Sequence, residues 1–133
     1  MDSSVTISWL FEDEHHPYAM DVWKALNRAT AVVPMLWHIE TANTILVAER
    51  RKRTTKTKTA EILKLLGDVP IVVDEHTRSH VFDDMYSLAR TYDLSLYDAT
   101  YLELALRRDL PIATLDEKLK NAAKKAGVAI YRP

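Results

Sequence analysis

Residues 97–119 read YDATYLELALRRDLPIATLDEKL, and the fold turns on how this stretch is parsed. Tyr97, Asp98, Tyr101, Leu102, Ala105 and Leu106 recur at helical spacing. Pro111 interrupts them, residues 112–115 form a short apolar run suited to a strand, and a second helix opens at Asp116. The result is a helix, strand, helix unit with an acid at each helix start. In an open α/β sheet, ligands and metals gather where strands end and helices begin, which directs Asp98 and Asp116 toward one crevice.

Outward from this unit, the chain alternates short β-branched runs with longer amphipathic ones. Helices are expected over 3–11, 17–28 with Pro17 in the first turn, 35–53, 58–66 with Gly67 as C-cap, 78–92, and from Asp116 to residue 126, closed by Gly127. Strands are expected at 31–33, 71–73, 112–115 and 128–131. Short buried strands alternating with helices predict a parallel sheet covered on both faces, a three-layer α/β/α architecture.

The 133 residues fit a single domain, 1–133, large enough for its own hydrophobic core. With 47% apolar and 28% charged residues and a net charge of -1, the chain has no global pull toward polyanions or membranes. It lacks cysteine, which removes thiol nucleophiles and thiolate metal sites, and its two glycines cannot make a glycine-rich phosphate loop. No apolar run approaches the roughly 20 residues of a membrane span, and Met1-Asp2 starts without signal-peptide character, so a cytoplasmic protein is expected.

Each acid has two readings. Asp98 lies beside the core face of its helix, yet Ser95-x-x-Asp98 also fits a capping box. Asp116 serves equally well as an N-cap. Glu40 sits mid-helix between Leu36 and Asn43 on the inner side, where long acids are seldom found unless paired or metal-bound; partial exposure or a salt bridge would also account for it. Asp2 alone says nothing. The five histidines show no zinc-motif spacing. Arg50, Arg51, Lys52 and Arg53, with Lys56 and Lys58 beyond them, form the one basic cluster: a solvated helix end favoured by the helix dipole, or a rim that contacts nucleic-acid phosphates.

Taken in order, Asp2-Ser3-Ser4-Val5, the run from Val33 through Pro34 and Trp37 to Glu40 with Asn43, Leu94 to Ala99 with Tyr101-Leu102, and Ala113-Thr114-Leu115-Asp116 resemble the PIN-domain nucleases. The resemblance spans essentially the whole chain and is greatest to VapC toxins of type II toxin–antitoxin systems. It implies an acidic pocket of Asp2, Glu40, Asp98 and Asp116, with Ser4, Asn43 and Thr114 as polar supports. It also implies a central strand ahead of the first acid, of which Met1 alone is present, so a truncated first strand is expected.

Carboxylates gathered in one crevice raise one another's pKa unless a cation compensates, and an oxygen-only donor set suits Mg²⁺ or Mn²⁺. The expected function is a metal-dependent endoribonuclease that activates water against a phosphodiester. The resemblance further implies an RNA substrate, a VapB-like antitoxin lying near Trp9, Phe11 and Trp23, and a homodimer. The alternatives are a housekeeping PIN ribonuclease without antitoxin, and an inactive nucleic-acid-binding module whose acids are only helix caps.

Overall fold

The computed structural model describes residues Met1–Pro133. Its elements run α1 (Ser3–Leu10), a 3-10 turn (Glu12–Glu14), α2 (Pro17–Ala25), β1 (Ala31–Pro34), α3 (Met35–Arg50), α4 (Lys56–Gly67) and β2 (Ile71–Asp74). A continuous helical stretch follows: α5 (Thr77–His80), a π-helical turn (Val81–Met85) and α6 (Tyr86–Tyr92). It is succeeded by α7 (Leu96–Arg107) and α8 (Glu117–Lys125). The α/β architecture expected from the sequence is present, with a smaller sheet.

β1 and β2 pair in parallel, Ala31 opposite Ile71 through Pro34 opposite Asp74. The two expected C-terminal strands meet only at a single parallel bridge, Ile112 to Ile130. The reason lies between them and β1. The Met1 ammonium donates to the Val32 carbonyl at 3.3 Å, and the Asp2 amide donates to the Ala113 carbonyl at 2.9 Å. Two residues therefore span the gap between β1 and Ala113. Beyond Met1 the gap is an apolar cavity of about 260 Å³ walled by Val22, Leu26, Val32, Pro111 and Ala113. The 112–115 segment takes one bond from Asp2 on one side and exchanges bonds with Ala129 and Tyr131 through Ile112 alone on the other, too few pairs for a ladder.

Other boundaries shift for local reasons. α3 stops at Arg50 rather than 53 because Lys52 turns into the left-handed region at φ 59°. α4 starts two residues earlier than expected, since Thr55 accepts from the Lys58 amide as N-cap. Gly67 stays helical and is not the left-handed cap expected of it. Gly127, at φ 81°, does close α8 that way. The helix predicted over 78–92 is one run, but a π-turn loosens its middle.

α7 is the central helix: every residue from Ala99 to Ala105 is buried. Tyr101, Leu102 and Ala105 pack with Trp37 and Val33 on one side and with Leu119, Ala122 and Ala123 of α8 on the other. The interior also takes an acid, Glu103, which is 3% exposed. Arg107, one turn on, donates from Nε to its Oε1 at 2.6 Å, and its two terminal nitrogens reach Asp74 at 3.1 and 2.8 Å. This clamp ties the C-terminus of β2 to the end of α7.

The Arg107 hydrogen bond is the main reason the Asp74 carboxyl is held below its ordinary value. Its stabilisation is therefore complete above the unfolded-state pKa, near 4, and fades as pH falls through the depressed folded value. Arg107→Met would strip the bidentate partner from buried Asp74 and the nearest cation from buried Glu103, leaving only Arg108 at 3.4 Å and the His80 ring at 3.7 Å, and we expect a loss of about 3 kcal/mol in urea unfolding at pH 7. The deficit should shrink below pH 4 as the Asp74 carboxyl becomes protonated.

Candidate active site

Asp2 is 4% exposed and caps α1: its Oδ1 accepts from the Ser4 amide at 3.1 Å and from the Ser4 hydroxyl at 2.6 Å. The Thr114 hydroxyl donates to Oδ2 at 2.6 Å. Both hydroxyls then accept in turn, Ser4 Oγ from the Leu115 amide at 2.9 Å and Thr114 Oγ1 from the Asp116 amide at 3.0 Å. One hydrogen-bonded chain thus joins the start of α1 to the turn that opens α8. Burial pushes the Asp2 carboxyl up, and these hydroxyl bonds pull against it. The adjacent Met1 ammonium is pushed down to about 6 by burial.

Asp116 forms the cap that its position predicts, accepting from the Leu119 amide at 2.7 Å through Oδ1. Ser95 caps α7, its hydroxyl accepting from the Asp98 amide at 3.0 Å and donating to the Asp98 Oδ2 at 2.7 Å; the return bond of a capping box, from the Ser95 amide to the Asp98 carboxylate, is not formed. The Glu40 carboxylate is half-buried on α3 and accepts from the Tyr101 hydroxyl through Oε2. The Ser3 side chain and the Asp2 charge also act on that phenol.

Tyr101 stands three residues after Asp98 on the same face of α7. Asp2, Asp116 and Glu40 are thus connected through bonds or near neighbours, and Asp98 lies one turn away.

A shared pattern emerges. Glu40, Asp98 and Asp116 each have one oxygen held by a protein donor and the other without one. None of the three has a Lys or Arg within 4.0 Å. The four acids do not form a closed cage. The one group of three His, Asp or Glu side chains whose ligand atoms lie within 4.8 Å of one another is His80, Asp84 and Glu103, away from them. There Arg107 already supplies the positive charge, so that cluster reads as an ion-pair network despite the histidine. The acids at the other location have oxygen donors, free lone pairs and no protein cation, which fits a hydrated hard ion that keeps several waters.

Asn43 is exposed one turn along α3 from Glu40 and makes no side-chain hydrogen bond. Arg50, Arg51 and Lys52 are exposed without ion pairs. Arg53 differs: it pairs with Asp13 at 2.6 Å and Glu14 at 2.7 Å and lies 4.2 Å over the Phe11 ring. It fastens the 3-10 turn to the end of α3, so the basic rim is smaller than the sequence suggests. Of the aromatic residues expected to face a partner, Phe11 is buried while Trp9 and Trp23 remain partly exposed. Trp9 and Trp23 pack edge to face at 5.0 Å, and the Trp9 indole donates to the Ala19 carbonyl.

The sequence matches the PIN domain over residues 1–125. The chain belongs to the PIN-domain family. PIN domains are generally nucleases that use divalent metals, which accords with an uncompensated acidic surface at the helix starts. No curated protein matches the chain. No helix is long and apolar enough to cross a membrane.

Tyr101 is the site-lining residue that sequence reasoning left in the core stripe. A signal for it existed, because a buried tyrosine needs a partner for its hydroxyl and Glu40 is the inward-facing acid of α3.

Thr114→Val keeps the shape and removes the donor to buried Asp2. We expect a loss of about 1–3 kcal/mol in chemical denaturation, with Ser4→Ala in the same range.

Proposed function

We propose that this PIN domain is a Mg²⁺- or Mn²⁺-dependent endoribonuclease and the toxin of a toxin–antitoxin pair. The observation that carries the reading is the set of carboxylates on Glu40, Asp98 and Asp116, each steadied through one oxygen and left open at the other, with no basic side chain to neutralise them. A protein keeps such acids together at a cost in repulsion unless a cation is part of the working state. When bound, the cation lowers the pKa of a coordinated water and stabilises the leaving oxygen.

The chain's own residues divide the remaining work. Glu40, Asp98 and Asp116 would hold the ion directly or through water, and Asp2, with both oxygens engaged, steadies the start of α1 and adds negative potential beneath the site. Thr114 and Ser4 fix Asp2. Asn43, unoccupied at the rim, is placed to orient a phosphate or a water. Arg50, Arg51 and Lys52 supply sequence-independent backbone contacts.

An antitoxin would cover the mouth of this pocket. Exposed apolar side chains adjoin two of the acids, Ile39 beside Glu40 and Tyr97 beside Asp98, 61% and 63% exposed. They offer a docking surface where buried Phe11 does not. Homodimer formation and a cytoplasmic location belong to the same reading. A housekeeping ribonuclease without antitoxin would use the same chemistry.

A second reading has its own observation, since Asp116 does cap its helix and Asp98 bonds the Ser95 cap of its own. On that view the domain binds nucleic acid without cutting it. The two separate on Asp98→Asn, assayed for Mn²⁺-induced thermal stabilisation and for cleavage of an RNA pool. The nuclease reading expects the parent to be stabilised and to cut, and the variant to lose at least about 100-fold in cleavage rate while still folding. A variant that cuts at the parent rate, or a parent indifferent to Mn²⁺, would sink it.

A further inference from the structure

The Tyr101 hydroxyl is the only protein donor to the Glu40 carboxylate. That matters because glutamate reaches its carboxylate through three rotatable bonds, and Glu40 is only half-buried. Left alone, its head group would turn into water, and the loss of that freedom would oppose ion binding. The phenol removes the freedom in advance. It is itself immobile: Tyr101 is 4% exposed, in the middle of the buried run of α7, packed in the same core as Trp37 and Leu102.

The direction of the bond is also fixed. The phenol O–H donates and the carboxylate oxygen accepts. A protonated phenol is a poor ligand for a hard cation, which keeps Tyr101 out of direct coordination. It presents Glu40 instead.

We infer that Tyr101 is a positioning residue of the acidic site, holding Glu40 Oε2 so that Oε1 is the oxygen offered to a divalent cation. The inference rests on the metal-site reading above, and it assigns a role to a side chain that touches neither metal nor substrate. Partners of this kind, which orient a ligand through a hydrogen bond, typically contribute about 10–100-fold to metal affinity.

The test is Mn²⁺ titration of the whole chain, read as loss of the free-ion electron paramagnetic resonance signal. It compares the parent, Tyr101→Phe, Glu40→Gln and the double variant. Expected is a loss of at least about tenfold in affinity for Tyr101→Phe, shrinking to less than about twofold when Glu40 is already Gln. Affinity within twofold of the parent in Tyr101→Phe overturns the inference, as does an equal loss in both backgrounds, which would mark a general structural effect.

Should Tyr101→Phe fail to fold, Glu40→Asp replaces it. It keeps the charge and withdraws the carboxylate from the phenol by one methylene, and it should show the same tenfold loss. Parent-like affinity there overturns the inference as well. A parent that binds no Mn²⁺ removes the metal-site reading along with this one, whereas a parent that binds while Tyr101→Phe binds equally well removes only the role of Tyr101.

Discussion

The buried Asp2 carboxylate is the constraint around which the two ends of the chain are arranged. It takes three hydrogen bonds from Ser4 and Thr114, and the two hydroxyls that satisfy it accept from the Leu115 and Asp116 amides. A charge so deeply placed is tolerable only with such a shell. The shell in turn fixes where α8 begins, because the Asp116 amide is positioned by Thr114 before Asp116 caps the helix. Residues more than a hundred positions apart are thereby held in register by one acid.

The molecule handles acids in two different ways, and the difference separates structure from site. Asp74 and Glu103 are buried and share Arg107, which offsets their charges and ties β2 to α7. Glu40, Asp98 and Asp116 receive neutral donors only. Hydroxyl and amide donors fix geometry without cancelling charge, which leaves a local field that attracts cations. In the compact His80, Asp84, Glu103 group, by contrast, Arg107 supplies a compensating positive charge.

Much of this was legible in the sequence. Pro17, Ser95 and Asp116 mark helix starts by local chemistry alone, and the structure follows them closely. The β-branched runs at 31–33 and 71–73 pair as expected because each is the other's nearest strand. Where the reading overreached, a non-local fact intervened. The apolar run at 112–115 has strand composition, but its backbone bonds to other segments are one from Asp2 on one side and those of Ile112 with Ala129 and Tyr131 on the other, too few for a ladder. Arg53 looked like its basic neighbours because nothing local reveals that Asp13 and Glu14, forty residues earlier, fold back onto it. Gly67 had the right residue type for a left-handed cap, yet the helix closes without needing positive φ.

α7 shows how these separate arrangements become one system. Its first turn carries Asp98, its middle carries Tyr101, and its last turn carries Arg107, with an unbroken buried stretch between. At about 1.5 Å per residue, Tyr101 and Arg107 stand roughly 9 Å apart on a rod that cannot compress. The clamp on Asp74 therefore sets the axial position of the phenol, and through it the Glu40 carboxylate, without touching either. A helix with a loosely held end could slide or fray, and Asp98 in its first turn would move with it. Burying the Asp74–Arg107–Glu103 ion pairs at the far end is a costly way to hold a helix, but it is a rigid one.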